Sequence, residues 1–343
     1  MSMNLNRIAN DAPRKLNDRA LPPTITRIIP PLNPSSRLSK KFLRIIYGKN
    51  LKHMNNMGNG FQLRPTSHPQ IWDILWRGKK LGETSPFPET LQQPDIWLLA
   101  TGPSVNELNL NLLREKSVMG INGAIAICEK HRITPTFYAS TDYDFFDHRM
   151  TLVKQAVTSG AHCFFSYNGI ARICQQAPEI IAHGKISLLE TVNRYYGIQQ
   201  IDRNTLRETA TSDPDIIISS FLDSKVGWSQ NIAKGVFASN TIAYSACQIA
   251  AHLNAQNVFI LGMDLGASSN GPIRAYETGE KARPSSLANS YEKSILPAFQ
   301  LMSSLDLPTQ FWNLSAESRL PDDIISKITF DQALTNNLPT HHA

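Results

Sequence analysis

The sequence predicts an α/β protein with a mostly parallel, doubly wound sheet and a basic arm ahead of it. Three observations lead there. From Pro94 onward, short apolar runs alternate with helix-like stretches, the pattern of strand–helix–strand units. The first run, Ile96 to Ala100, is apolar at every position and closes in Thr101-Gly102-Pro103-Ser104, as a strand buried on both faces does. Charge is also partitioned: residues 1–80 hold 15 Lys/Arg and 3 Asp/Glu, the remainder 19 and 25. The basic balance of the chain therefore belongs to its N-terminal end. Such an architecture is Rossmann-like, and ligands are expected outside the carboxyl ends of its strands.

In chain order, residues 1–35 are rich in Asn, Pro and Arg and lack periodicity, which predicts an extended or disordered basic arm. In residues 36–93 the segment Ser36 to Lys52 is amphipathic. Leu38, Phe42, Ile45 and Ile46 share a helical face, and Arg37, Lys40, Lys41, Arg44 and Lys49 cover the rest. Two readings stand: a helix lying in a membrane interface, or one packed on the main domain. Ile71, Trp72, Ile74, Leu75 and Trp76 form a second amphipathic segment, expected to pack on the core. Strands are predicted at 96–100, 117–121, 136–140, 162–167, 186–190, 215–220, 257–263 and 310–314. Helices are predicted at Asn106 to Arg114, Ala124 to His131, Asp147 to Ser159 and Thr241 to Asn254. Residues 94–330 thus form the α/β domain, with 191–236 as an acceptor-side insertion or lid and 331–343 as a polar tail.

With 343 residues and a hydrophobic fraction of 41%, the chain buries a sizeable core. Cys128, Cys163, Cys174 and Cys247 make no CxxC pair and each lies in an apolar stretch, as buried thiols in a reducing compartment do. No run reaches the roughly 18 apolar residues of a membrane span. The N-terminus lacks the apolar core of a signal peptide, so a cytoplasmic protein is expected. Nucleic acid is not expected as a partner, because residues 1–65 offer one Tyr and two Phe for stacking on bases.

Five loops carry the polar residues that chemistry would need. Thr101, Gly102, Pro103 and Ser104 end the first strand, and small residues before a helix N-terminus suit a phosphate. Asn122 and Gly123, in Gly120-Ile121-Asn122-Gly123, follow the second; Asn122 binds a base or ribose, or caps the next helix. Ser140-Thr141-Asp142-Tyr143-Asp144 follows the third. Asp142 and Asp144 match a DxD metal clamp for a nucleotide diphosphate, and Asp144 or Asp147 equally suits a helix cap; His148 beside Asp147 is read as structural. Ser239, Asn240 and Thr241 open a helix and suit a phosphate or sugar, or serve as an N-cap at Ser239 or Asn240. The stretch Gly266 to Lys281 holds Arg274, Tyr276 and Glu277; Arg274 with Tyr276 would steady an anionic leaving group, or Arg274 is a surface charge. Walker, HExxH, Ser-elbow and GxGxxG patterns are absent, which argues against a dinucleotide enzyme.

Taken together, Ala100 to Val105 and Gly120-Ile121-Asn122 resemble the opening motifs of bacterial sialyltransferases that use CMP-sialic acid. The similarity resumes from Ser239 through Leu253-Asn254-Ala255 to Val258-Phe259-Ile260-Leu261-Gly262-Met263-Asp264. Arg274-Ala275-Tyr276-Glu277, Arg283-Pro284-Ser285 and Tyr291-Glu292 resemble lipopolysaccharide core proteins that add a further 3-deoxy-D-manno-octulosonic acid (Kdo) to the inner core. The likeness spans about residues 94–320. It implies a sialyltransferase-like fold and an inverting glycosyltransferase using CMP-Kdo on a lipopolysaccharide inner-core acceptor, at an anionic inner-membrane surface. It also implies that Thr101 to Ser104, Asn122, Gly123, Ser239 to Thr241 and Asp264 surround the nucleotide. Asp264 alternatively holds loops together through local backbone bonds. The donor has a single phosphate, so no metal cofactor is expected.

One departure concerns the base. The sialyltransferases place a catalytic His shortly before the helix that begins here near Tyr291, where this chain has Ser285-Ser286-Leu287-Ala288-Asn289. Asp142 is the first candidate base, with Glu292 and Glu277 in reserve, and Arg274 and Tyr276 complete the catalytic set. Two other classes remain open. An ATP-dependent diphosphotransferase on a hydroxymethyl substrate would use Mg²⁺ or Mn²⁺ held by Asp142 and Asp144. A nucleotide-binding protein without catalysis would also lack the His.

Overall fold

A computed structural model describes residues 53–54, 60–219, 226–266, 274–276 and 287–339. The arm at 1–35, the amphipathic segment at 36–52, Glu277, and the Arg283 to Ser286 stretch lie outside the described residues.

The first layer is a small antiparallel sheet of β1 (Phe61–Pro65), β2 (Trp72–Trp76) and β3 (Lys79–Glu83). The Trp72 segment is thus the central strand of this sheet, and it packs on the core as expected: Trp72, Ile74 and Leu75 are buried. A seven-stranded, wholly parallel sheet follows. It contains β4 (Asp95–Leu99), β5 (Val118–Ile121), β6 (Phe137–Ser140), β7 (His162–Phe165) and β8 (Lys185–Leu188). After a separate ribbon of β9 (Ile216–Ile218) and β10 (Gly227–Ser229), it takes in β11 (Asn257–Leu261) and β12 (Gln310–Asn313). The order across the sheet is β12-β11-β4-β5-β6-β7-β8.

Apolar runs produce this sheet because both faces are covered. In β4, Trp97 and Leu99 join one buried cluster, and Ile96 and Leu98 join the other. The first cluster also holds α1 (Ala124–His131), α3 (Met150–Thr158) and α4 (Tyr167–Gln176), with the small sheet outside them. The second holds α5 (Arg203–Ser212), α6 (Ile242–His252) and α7 (Leu296–Ser303). Period-two alternation between two apolar layers leaves no polar face, so each strand reads as continuous hydrophobicity.

Three expectations are corrected. The run 215–220 is not a strand of the parallel sheet; β9 pairs antiparallel with β10. Lys234 pins this ribbon through Asp213 and Asp215 at 2.8 and 2.9 Å. An isolated Ile run carries no information about its partner strand. The stretch Asn106 to Arg114 is two 3₁₀ turns, Pro103–Glu107 and Leu110–Leu113, rather than an α-helix. Its buried anchors are Val105, Leu110 and Leu113. The predicted helix from Asp147 divides at Arg149 into α2 (Tyr143–His148) and α3.

Burial fixes the chemistry of several core groups. All four cysteines are free and buried, with Cys128 and Cys174 pushed up to about 12 by desolvation, so they are inert thiols. His162 and His252 are pushed down to about 4, chiefly by burial. His162 Nε2 lies 2.7 Å from Ser187 Oγ, whose proton goes to Ser85 O or Pro86 O, so the imidazole is the donor. Unfolded histidines bind protons below pH of about 6.5, whereas these two do so only near 4. Their stability contribution is present above about pH 6.5 and is lost as pH falls toward 4. Urea midpoints are therefore expected to drop between pH 7 and 5, and His162→Gln should flatten that slope. An unchanged slope in the variant would place the acid sensitivity elsewhere.

Candidate active site

The strand order reverses between β4 and β11: from β4 the chain runs outward to β8, then returns to the other side of β4. A crevice at such a reversal is where α/β sheets bind ligands. Here the two loops at the reversal are stitched together. Gly102 N donates to Gly262 O at 2.8 Å, and Ser104 N donates to Asp264 Oδ2 at 2.9 Å. Ser104 Oγ donates to Asp264 Oδ1, and Ser315 Oγ accepts from Met263 N at 3.0 Å. Asp264 is buried with both carboxylate oxygens engaged by Ser104. Of its two readings, the loop-holding one is what this geometry displays. Gly102 is required by space: a Cβ there would lie 2.5 Å from both Asp264 Oδ2 and Gly262 O.

At the end of β5, Asn122 adopts the left-handed region with φ 46°. Its Oδ1 accepts from Ser140 Oγ at 2.8 Å, and its carbonyl accepts from Tyr138 OH. Asn122 is not the helix cap; Gly123 is the N-cap of α1, with no side-chain cap bond. Asn122 instead couples the carboxyl ends of β5 and β6. The segment Arg274 to Tyr276 crosses these loops. Ala275 N donates to Thr101 O at 2.8 Å, and the Tyr276 ring occupies the space where a Gly123 Cβ would stand, 2.0 Å away. Residues from three distant parts of the chain, Thr101, Gly123 and Tyr276, thus form one wall.

Asp142 follows β6 and caps α2: its Oδ1 accepts from Asp144 N at 3.0 Å. The cap is Asp142 rather than Asp144 or Asp147. Asp147 instead pairs with Arg172 at 2.8 Å, whose guanidinium lies 4.5 Å from the centre of the Tyr143 ring, and burial raises the Asp147 carboxyl above its usual value. Asp142 is exposed, and its other oxygen makes no hydrogen bond among the described residues.

The Ser239-Asn240-Thr241 loop differs in detail from expectation. Thr241, in extended backbone, is the N-cap of α6 and accepts from Ala243 N at 3.4 Å. Ser239 and Asn240 do not cap, because both are left-handed, with φ 42° and 58°. Two successive non-glycine residues in that region store strain, which is common at ligand sites. Asn240 Nδ2 donates to Ser294 Oγ at 2.9 Å. Ser239 is 6% exposed, and its hydroxyl has no hydrogen-bond partner among the described residues.

Ser294 lies in a π turn, Tyr291–Ile295, that leads into α7. Such turns recur at functional sites. Glu292, one of the candidate bases, is 67% exposed and pairs with Arg319 at 3.0 Å. Arg319 also lies 3.8 Å from the centre of the Tyr291 ring, and its backbone N donates to Asp264 O at 3.2 Å. Arg319 and Ser315 lie outside the five loops singled out in the sequence. Arg319 stands in no motif; only its place after β12 brings it to the Asp264 turn.

Comparison with known proteins bears on this geometry. A family model described as 3-deoxy-D-manno-octulosonic acid transferase WaaZ matches residues 86–331, which include every described loop above. A probable 3-deoxy-manno-octulosonic acid transferase of Escherichia coli K12 is 26% identical over 236 residues, 67% of this chain and 81% of that protein. Its namesake in Salmonella typhimurium LT2 is 25% identical over 240 residues, covering 68% of this chain and 87% of the relative.

Proposed function

Because the chain belongs to the WaaZ family of Kdo transferases, we propose that it transfers Kdo from CMP-Kdo to the inner core of lipopolysaccharide, inverting the anomeric carbon. The observation that carries the donor reading is Ser239: a buried hydroxyl, unpartnered among the described residues, on a strained loop at the N-terminus of α6. A buried donor without a partner costs stability unless a ligand completes it. The helix N-terminus behind it favours an anion.

In this reading Thr101 to Ser104, Asn122 and Gly123 line the nucleotide side, with Asp264 holding the first loop in place. An acceptor hydroxyl oxygen attacks the anomeric carbon as the bond to the CMP phosphate oxygen breaks. Asp142 takes the hydroxyl proton. Arg274 and Tyr276, which cross above Thr101 and Gly123, meet the charge that develops on departing CMP. The donor's single phosphate asks for no diphosphate clamp, so the reaction is expected to run without added metal.

Calorimetric titration with CMP, UDP and ATP, each with and without Mg²⁺, tests this directly. CMP should bind with or without Mg²⁺, whereas Mg²⁺-dependent ATP binding would replace this reading with the diphosphotransferase. Ser239→Ala should weaken CMP binding about five- to tenfold, the worth of one hydrogen bond. Its melting temperature should not fall, because the hydroxyl has no hydrogen-bond partner among the described residues. Unaltered CMP affinity would remove Ser239 from the site.

Among the described residues, no helix is long and apolar enough to cross a membrane. The arm supports peripheral attachment at the cytoplasmic face, since residues 1–52 carry 11 Lys/Arg and 2 Asp/Glu. Deleting 1–52 should release the protein from anionic vesicles in a sedimentation assay. Salt-sensitive binding that survives the deletion would sink this role for the arm.

A further inference from the structure

CMP-Kdo carries two separate anions, the phosphate and the carboxylate of the 2-keto acid sugar. Arg274 and Tyr276 answer the phosphate, and no residue read from sequence answers the carboxylate. We infer that Arg319 binds the sugar carboxylate of the donor, an inference that rests on the CMP-Kdo reading above.

The structure places Arg319 with unusual firmness for an exposed arginine. Its backbone N donates to Asp264 O at 3.2 Å, and its carbonyl accepts from Tyr291 OH at 2.7 Å. Just before it, Ser318 Oγ donates to Met263 O at 2.6 Å, and Lys327 Nζ bonds the carbonyls of Ala316 and Ser318 at 3.0 and 3.1 Å. The turn bearing Arg319 is therefore fastened to the Gly262-Met263-Asp264 turn at the strand-order reversal. Asp264 in turn holds Ser104.

The side chain is also preorganised. Its guanidinium sits 3.8 Å from the Tyr291 ring centre, a stacking that fixes its plane. One Nη bonds Glu292 Oε1 at 3.0 Å, and the guanidinium makes no other hydrogen bond among the described residues. With the side chain 36% exposed, most of its donors remain open to a planar oxyanion, the geometry a carboxylate offers. The same π turn that carries Tyr291 and Glu292 receives Asn240 through Ser294. Arg319 and Asn240, of the Ser239 loop, thus both contact this one turn. A purely structural ion pair would explain Glu292, but not the bracing of the backbone on both sides of Arg319.

Arg319→Gln tests the assignment, with Arg319→Lys as the variant that keeps charge and loses the fork. The KM for CMP-Kdo should rise at least tenfold in Arg319→Gln, with kcat reduced much less. The inhibition constant of CMP, which has the phosphate but no sugar carboxylate, should stay within twofold. Arg319→Lys should recover part of the KM. A CMP inhibition constant that rises in step with KM would overturn the carboxylate assignment in favour of the phosphate, and an unchanged KM would overturn the role altogether. A wild-type protein that neither binds CMP nor consumes CMP-Kdo would instead defeat the donor reading, whatever Arg319 does.

Discussion

Gly102→Ala should lower CMP affinity by a hundredfold or more and the folding stability by about 2–3 kcal/mol, the scale of a tight overpacking. Backbone conformation is not the reason, since Gly102 has φ −65° and ψ 152°, which any residue adopts. Space is the reason. A methyl group would lie 2.5 Å from Gly262 O and from Asp264 Oδ2, and 2.6 Å from Asp264 Cγ. Neither neighbour yields cheaply. Gly262 O is the acceptor of the Gly102 amide, and the Asp264 carboxylate accepts twice from Ser104. Relief requires the 101–104 loop to lift from the Gly-Met-Asp turn, which takes the proposed nucleotide wall with it. Melting temperature and CMP titration check this together. A variant that melts and binds like the wild type would show that the two loops separate freely and that their stitching is unimportant to the site.

Asp142→Asn should lower kcat by about 10²- to 10⁴-fold, the range of a general base, while leaving CMP affinity within twofold. The substitution isolates chemistry from structure. Asp142 caps α2 through one oxygen, and Asn caps a helix as well as Asp does, so the melting temperature should hold. Asp142→Ala, by contrast, should lose about 1 kcal/mol of stability as well as turnover. An Asp142→Asn variant with full activity would assign Asp142 to capping alone and move the search to Glu277 and Glu292. Of these, Glu292 already has Arg319 as its counter-charge.

Much of the fold was legible. The seven parallel strands were each visible as apolar runs ending in small or polar residues. The misread stretches share a cause. Ile216 to Ile218 and Asn106 to Leu113 are short segments whose form depends on what they touch, an antiparallel neighbour in one case and three isolated buried anchors in the other. The caps were misassigned for a related reason. Ser239 and Asn240 have the right side chains for capping but sit in left-handed backbone, which residue type alone does not reveal.

By itself, the sequence determined the seven strands of the parallel sheet and which loops leave their carboxyl ends, because burial on both faces demands apolar residues at every position. It also determined family likeness, since the loop motifs are local in the chain. Tertiary structure alone decided the order of the strands, and with it the site. Setting β11 beside β4 brings Ser104 to Asp264 across 160 residues, Tyr276 onto Gly123, and Arg319 to the same turn. No local pattern encodes such pairings, because a hydrogen bond or a missing Cβ depends on distance in space and not on separation along the chain.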